Sequence, residues 1–400
     1  MTWPASAPPF LLGVATSGHQ VDGNDPPAPN DWTLWEEAGR TQDPSGRAAD
    51  HWHRFAEDVA LFRLLGANAY RFSLEWSRLE PAPGRFDEEA VAHYREMVAT
   101  CRREGVEPLA TMSHFTLPTW LHGGWLSPLA APRFQALAER LARSLDGVQF
   151  WCTINEPNVL ALMGYVEGTW PPGQHRLGAA RRVLLAQLDA HRRAYAAIKE
   201  VRPRAMVGIA HSLVHFRPAR STWWDRQAAA LADRIFNQWP IRRAGPQDFI
   251  GVNYYAPRWV SAKTFGRPAL TGPTPGPTTD MGWSIDPEGF RQVLAAASRW
   301  ERPILVTENG IATDDESERA AYIEQHRAAL ERAQTEGADI RGYFYWSGLD
   351  NFEWVEGYRP HFGLIAVDRR TQARTIKAGA AAFAAWAAAI LPAAPPRLPR

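Results

Sequence analysis

The sequence predicts an α/β protein, a single-domain (β/α)8 TIM barrel, and two observations lead to that fold class. Short apolar runs rich in β-branched residues, typical of strands buried in a parallel sheet, alternate with longer stretches of helical periodicity. Eight such strand–helix pairs follow one another, which favours a closed barrel over an open sheet. No linker or internal repeat divides residues 1–400. We therefore expect one domain with its core at about 10–390 and a Pro-rich tail at 391–400.

The first half of the chain supplies four of these pairs. A strand at 10–17 leads into a loop rich in Pro and Trp, and a helix at 55–65 follows, whose apolar Phe55, Val59 and Phe62 share one face. Gly66 ends that helix, as glycine often does at helix carboxyl ends. The further strands of this half are expected at 68–73, 106–112 and 148–156, and the further helices at 87–103, 134–145 and 177–201.

The second half repeats the alternation. Residues 266–279 are rich in Pro, Gly and Thr and are predicted to form a surface loop. The last helix is predicted at 373–389 from its alanine-rich composition. The strands of this half are expected at 206–211, 248–255, 303–308 and 340–346, and the other helices at 225–236, 288–300 and 319–334.

Composition excludes several classes of protein. The chain has 44 Lys and Arg against 43 Asp and Glu, so it carries no electrostatic signature of nucleic-acid or anionic-membrane binding. No segment has the length and apolarity of a membrane span, and the start lacks the features of a signal peptide. Cys101 and Cys152 cannot form a disulfide framework or a CxxC metal pair. We therefore expect a cytoplasmic location.

The ends of the predicted strands carry the chemistry. Two apolar strands far apart in the sequence each end in a carboxylate, at Glu156 and Glu308, and an isolated buried carboxylate is costly to a protein core. Parallel barrels build their active sites at this end. The polar and aromatic residues expected there are Gln20, Arg71, His114, Asn155, Glu156, Tyr255, Glu308, Trp346 and Glu353.

This set of residues favours sugar chemistry. Neutral donors and acceptors with aromatic faces are suited to polyols, and two carboxyl groups are what cleavage of a glycosidic bond requires. No Ser-His-Asp order and no cysteine nucleophile are evident, and no Gly-rich phosphate motif is present. We therefore expect neither a cofactor nor a metal. The HxH spacing of His51 and His53 lies before a helix rather than at a strand end, and we interpret it as helix-start packing.

From about residue 10 to 377 the chain resembles glycoside hydrolase family 1, the β-glucosidase family. The most specific motifs are Thr153-Ile154-Asn155-Glu156-Pro157, Thr307-Glu308-Asn309-Gly310 and the segment from Tyr345 to Trp354. Supporting motifs are Ala15-Thr16-Ser17 with Gln20, Tyr70-Arg71-Phe72-Ser73, and Asn253-Tyr254-Tyr255. The resemblance implies a retaining exo-β-glycosidase that hydrolyses β-glucosides, and also β-galactosides or β-fucosides, as small molecules or oligosaccharides.

The resemblance also implies a role for each site residue. Glu156 would be the acid/base, with a pKa raised by burial, and Glu308 the nucleophile. Arg71 would keep Glu308 ionised, and Tyr255 would donate a hydrogen bond to it. The groups that would hold the sugar are Gln20, His114, Asn155, Tyr255, Glu353 and Trp354, with Trp346 as the platform under the ring. Trp120 and Trp125 are further candidates for sugar contact.

Departures from the family pattern and alternative interpretations remain. Phe115 stands where many members carry Trp, His19 where Tyr is common, and Asp22 where Glu is common. Members that act on 6-phosphorylated sugars typically lack the glutamate found at 353, so we expect no such activity.

The two glutamates could instead form a structural ion pair with Arg71, and His114 could be a core histidine. A non-catalytic sugar-binding barrel and a transglycosidase are the rival functions, and the oligomeric state is left open.

Overall fold

A computed structural model describes residues 3–263 and 276–390 of the protein, and its centre is a closed barrel of eight parallel strands. Each strand pairs with the next along the chain, and the last pairs with the first. The predicted fold class is therefore confirmed. The strands are β1 Leu11–Ala15, β2 Ala69–Ser73, β3 Glu107–Ser113, β4 Phe150–Asn155, β5 Met206–Ser212, β6 Phe249–Asn253, β7 Ile304–Asn309 and β8 Ile340–Trp346.

The barrel interior is a packed core. Successive strand side chains point to opposite faces, so Leu11 and Ala15 of β1 face inward while Leu12 and Val14 face the helices. Phe150, Phe249 and Phe344 belong to the same inward-facing cluster. These rings occupy the space that would otherwise form a pore, and polar side chains are left to gather at the carboxyl ends of the strands.

In the described part of the chain, eight main helices surround the strands. Several begin at a side-chain cap: Asp87 accepts from the backbone N–H groups of Glu89 and Ala90, which satisfies donors that the first turn leaves free. The helix predicted at 177–201 has those bounds in the structure. The helices are α1 His51–Leu64, α2 Glu88–Arg103, α3 Ala130–Ser144, α4 Leu177–Val201, α5 Trp223–Asp233, α6 Pro287–Ala297, α7 Glu316–Thr335 and α8 Ala380–Ile390.

Shorter elements fill the connections. Two small sheets lie outside the barrel, one pairing His215–Pro218 with Pro257–Val260 and the other pairing Ile365–Val367 with Arg374–Ile376. The short helices are Gly18–Asp22, Asp31–Glu37, Trp76–Leu79, Gly124–Leu126, Pro157–Leu162, Met163–Glu167, Arg234–Gln238, Trp239–Ala244, Ser298–Trp300 and Trp354–Glu356.

The start predicted for the last helix is wrong. Residues 374–376 form a strand, and the helix begins only at Ala380. The guanidinium of Arg374 bonds the buried carboxylate of Asp58 on α1, with Nε 2.8 Å from Oδ1, and this contact holds the segment in the small sheet. Most of the predicted loop at 266–279 and the whole tail at 391–400 lie outside the described residues.

The first histidine of the HxH motif packs as expected at the start of α1. His51 Nδ1 lies 2.8 Å from Asp58 Oδ2, and its Nε2 lies 2.9 Å from the Tyr70 hydroxyl. Across residues 3–263 and 276–390, no group of His, Cys, Asp and Glu has an arrangement that could hold a metal ion. None of the helices in those two ranges is long and apolar enough to cross a membrane.

Candidate active site

The carboxyl ends of the strands bring the predicted polar residues together. Arg71 lies on β2, Asn155 ends β4, Glu308 is the next-to-last residue of β7, and Trp346 ends β8. The other predicted residues lie just beyond strand ends or in the loops after β1 and β8: Gln20, His114, Glu156, Tyr255, Glu353 and Trp354. Hydrogen bonds and ring contacts join all of them except Gln20 and Glu353 into one group, which Glu156 enters through Asn253. Gln20 and Glu353 bond to each other beside that group.

Glu308 is buried and strongly solvated by the protein. Arg71 Nη1 donates to its Oε1 at 2.6 Å, and the Tyr255 hydroxyl donates to its Oε2 at 2.6 Å. Burial raises the pKa of the Glu308 carboxyl, while the Arg71 charge and the Tyr255 hydrogen bond oppose that rise. Both donors bind the ionised form, so Glu308 is the more acidic of the two strand-end glutamates.

Arg71 is itself fully engaged, which makes it a rigid partner. Its Nε donates to Thr111 Oγ1 at 3.0 Å, and its Nη1 also donates to the carbonyl oxygen of Thr307 at 3.1 Å. Its Nη2 donates to Asn155 Oδ1 at 2.6 Å. The side chain is fully buried and spans from β2 to β4 and β7, so it fixes the relative positions of three strand ends.

Glu156 occupies a different environment. It is 7% exposed and accepts a 3.1 Å hydrogen bond from Asn253 Nδ2, and no cation of the described residues hydrogen-bonds to it. Burial, followed by the charge of Glu308, raises its pKa to about 8, the direction expected from the sequence. Its backbone is left-handed, with φ 44° and ψ 59°, just before Pro157 starts a short helix. A non-glycine residue in that region stores strain of the kind found at functional sites.

Asn155 connects the two glutamates through its amide. Its Oδ1 accepts from both Arg71 and Asn253, so its Nδ2 must face His114 Nε2, which lies 3.1 Å away. His114 Nε2 is therefore the acceptor, and Nδ1 carries the proton. Burial and then Arg71 hold the pKa of His114 well below its usual range, so the ring is neutral. Its buried Nδ1 has no hydrogen-bond partner among the described residues.

Glu353 is held from the loop after β1. Gln20 Nε2 lies 3.1 Å from Glu353 Oε2 and 2.9 Å from the Phe352 carbonyl oxygen. The Gln20 amide is oriented by Ser17, whose hydroxyl donates to its Oε1 at 2.7 Å. Burial, followed by the charge of Glu308, raises the pKa of Glu353 to about 8.

Aromatic rings form the wall of the site. Trp346 and Trp354 both lie nearly parallel to the His114 ring, at 24° and 22°, with centroids 5.7 and 6.4 Å away. Phe115 meets Trp354 edge-on at 5.5 Å. Flat apolar faces beside neutral polar groups suit the two faces of a sugar ring.

Two tryptophans that the sequence suggested do not join this group. Trp125 is buried against Trp76 and Phe134, and the Trp120 indole N–H donates to the carbonyl oxygen of Glu80. Both therefore have packing roles beside the barrel.

One bridging residue was missed from the sequence. Asn253 ends β6, and its amide binds both Asn155 and Glu156. Its place at a strand end, inside the motif that precedes Tyr255, was the available signal.

The geometry defines a class of enzyme. Two buried carboxyl groups lie at strand ends, one stabilised as an anion and one whose pKa favours the acid form at neutral pH. A pair with opposed environments of this kind supplies the acid and the base or nucleophile for glycosidic-bond cleavage. The site is that of a glycoside hydrolase built on a (β/α)8 barrel.

Comparison with known proteins identifies the family. Residues 5–244 and 241–389 match the family model described as Glycosyl hydrolase family 1. The chain therefore belongs to glycosyl hydrolase family 1, and the resemblance seen in the sequence is confirmed.

Two relatives of known sequence carry different kinds of name. Beta-glucosidase A of Thermotoga maritima is 31% identical over 92% of this chain and 94% of its own length. A 6-phospho-beta-galactosidase of Lacticaseibacillus casei is 30% identical over 94% of this chain and 96% of its own.

Solved structures agree in fold. A beta-glycosidase from Pyrococcus horikoshii is 37% identical, with a TM-score of 0.88 over 96% of this chain and 94% of that one. A beta-glucosidase from Thermotoga maritima in complex with glucoimidazole is 29% identical, with a TM-score of 0.88 over 97% of this chain and 98% of that one. The second structure holds a sugar-like inhibitor.

Proposed function

We propose that the protein is a retaining exo-β-glycosidase, a β-glucosidase that also accepts β-galactosides or β-fucosides. The observation that carries this proposal is the difference between the environments of the two carboxyl groups. Glu308 receives a guanidinium and a phenol, whereas burial leaves Glu156 with a pKa of about 8. A nucleophile must be ionised and a general acid must be protonated at the same pH, and these environments support that division.

In the first step, Glu308 attacks the anomeric carbon as Glu156 gives its proton to the leaving oxygen. The bond to the aglycone breaks and a glycosyl ester to Glu308 forms. Arg71 and Tyr255 solvate Glu308 before attack, so the nucleophile is oriented with both oxygens engaged.

In the second step, Glu156, now ionised, removes a proton from water as the water attacks the anomeric carbon. The ester breaks, Glu308 returns as a carboxylate, and the sugar leaves with its original configuration. Asn253 donates to Glu156 Oε1 and to Asn155, which keeps the base in position between the two steps. No cofactor or metal is needed for either step.

We assign recognition of the terminal sugar to the polar groups around the carboxylates. Trp346 would lie under the ring, because its face is nearly parallel to His114 at the end of β8. The residues proposed to bind the hydroxyl groups are Gln20, His114, Asn155, Tyr255, Glu353 and Trp354.

A 6-phosphorylated substrate is the alternative that the relatives suggest. A phosphate requires cationic or multiple N–H donors. Arg71 already bonds Glu308 and Asn155, and Glu353 supplies a carboxyl group rather than a cation. We therefore propose an unphosphorylated sugar as the substrate.

Hydrolysis of a panel of nitrophenyl β-glycosides tests the proposal. The panel holds the glucoside, galactoside, fucoside, mannoside, xyloside and 6-phosphoglucoside, with Glu308→Gln measured beside the wild type. We expect turnover of the glucoside, and loss of that turnover by several orders of magnitude in the variant. Normal activity in Glu308→Gln would refute the assigned nucleophile, and turnover of the 6-phosphoglucoside alone would refute the substrate class.

We also propose that the enzyme acts in the cytoplasm. Cys101 and Cys152 are both buried and unpaired, which suits a reducing compartment. Fractionation of cells that express the native gene would test this location.

A further inference from the structure

The residue before Gln20 packs directly against the wall of the site. The imidazole of His19 lies nearly parallel to the Trp354 indole, at 10° with centroids 5.9 Å apart. Its edge meets the ring of Phe352 at 5.9 Å. His19 is 2% exposed, and it reaches no carboxyl group of the site. It therefore touches a proposed sugar-binding residue without lining the place where bonds would change.

Hydrogen bonds fix the orientation of this ring. Asn30 caps a short helix, and its Oδ1 accepts from the backbone N–H groups of Trp32 and Thr33 at 2.9 and 3.0 Å. Its Nδ2 must then donate, and it lies 3.2 Å from His19 Nδ1. His19 Nδ1 is thus an acceptor, and Nε2–H donates to Glu36 Oε1 at 2.7 Å. Both ring nitrogens are therefore hydrogen-bonded, and rotation of the ring is blocked.

The ring that His19 contacts needs such support. Trp354 has φ 54°, a left-handed conformation that costs free energy in a residue with a bulky side chain and persists only where packing enforces it. Trp32 packs on it at 4.5 Å, and His19 covers it at 5.9 Å.

We infer that His19 is a positioning residue that orients Trp354 for the sugar. The inference rests on the proposed function. Gln20 holds Glu353 by a hydrogen bond, and its neighbour His19 holds Trp354 by ring contact. The adjacent residues 19 and 20 therefore position the adjacent residues 353 and 354. The indole is thereby set before substrate arrives, and its interaction strengthens binding without entering the chemical step.

The variant His19→Gln tests this role. Glutamine can still donate to Glu36 and accept from Asn30, but it removes the ring that covers Trp354. We expect KM for nitrophenyl β-glucoside to rise about 2- to 10-fold, the range that one aromatic pair supports, with kcat within about 2-fold. The exposed His53, whose Nδ1 lies 2.7 Å from Asp50 Oδ1, provides the matched control His53→Gln, for which we expect unchanged KM and kcat.

A double-mutant cycle separates positioning from a general loss of structure. In a Trp354→Leu background, His19→Gln should raise KM no further, because the residue through which it acts is gone. Additive effects, or an unchanged KM in the single variant at wild-type Tm, would overturn the inference.

Calorimetric binding of glucoimidazole separates this inference from the proposed function. We expect Kd in His19→Gln to rise in parallel with KM. A wild type that binds the inhibitor, with an unaltered Kd in His19→Gln, overturns the role of His19 alone. A wild type that neither binds it nor hydrolyses any glycoside overturns the proposed function and the inference together.

Discussion

Replacing Tyr255 by Phe should shift the acidic limb of the pH profile. The Tyr255 hydroxyl donates to Glu308 Oε2 at 2.6 Å, and burial followed by the charge of Glu308 holds the pKa of Tyr255 well above its usual range. The phenol therefore stays protonated and stabilises the ionised nucleophile. Without it, Glu308 takes up a proton more readily, and activity that requires the carboxylate is lost at a higher pH.

The size of the shift follows from the contact. A buried hydrogen bond to a charged group contributes about 1.5–3 kcal/mol. One pKa unit corresponds to about 1.4 kcal/mol, so the pKa of Glu308 in Tyr255→Phe should rise by about 1–2 units. Arg71 remains in place in the variant, so Glu308 still ionises and the enzyme stays active at higher pH.

The measurement is kcat/KM for nitrophenyl β-glucoside between about pH 4 and 9, which reports ionisations of the free enzyme. Tyr254→Phe is the matched control, because its hydroxyl donates to the Asp286 carbonyl oxygen at 3.1 Å, away from the carboxylate pair. An acidic limb that stays in place in Tyr255→Phe, or that moves equally in Tyr254→Phe, would refute the assigned role of the hydrogen bond.

Three other changes have defined outcomes. The wild-type kcat/KM should fall as pH rises through about 8, because Glu156 must be protonated to act as the acid. In Glu156→Ala this alkaline limb of the pH profile should be absent for substrates with good leaving groups. Arg374→Ala should lower the free energy of unfolding in urea by about 3–5 kcal/mol, since the carboxylate of Asp58 is buried and would lose its cation. Gly310→Ala should lower Tm and raise KM, because a Cβ at 310 would overlap the carbonyl oxygen of Trp346.

Each of these changes has a control in the same chain. Glu353→Gln should keep the alkaline limb, although the pKa of Glu353 is also raised to about 8. Arg143→Ala breaks an exposed pair with Glu139 and should cost less than about 1 kcal/mol. A Cβ at Gly178, on α4, would meet no neighbouring atom, so Gly178→Ala should have a Tm equal to or above that of the wild type. Loss of the alkaline limb in Glu353→Gln would contradict the reasoning. So would a loss of stability in Arg143→Ala or Gly178→Ala equal to that in the matched test variant.

Local pattern was sufficient for the barrel strands and for most of the main helices. Strand-forming runs and helical faces are encoded by neighbouring residues, so the bounds 177–201 and 340–346 were predicted correctly. The helix start at 373 was wrong because Arg374 finds Asp58 more than 300 residues away along the chain. The alanine-rich composition of 373–389 favours a helix from its first residue. A contact between residues so far apart along the chain leaves no pattern in the neighbouring sequence.

The strand-end placement of Glu156 and Glu308 was also readable from the sequence, because each follows an apolar run and precedes a turn or a proline. Their protonation was decided only by the tertiary structure. Arg71 meets Glu308 across 237 positions of sequence, and Asn253 reaches Glu156 from a third strand. The pKa of a buried carboxyl group depends on the water it has lost and on the charges and donors that folding brings within a few ångströms. Those neighbours are fixed by the closure of the barrel.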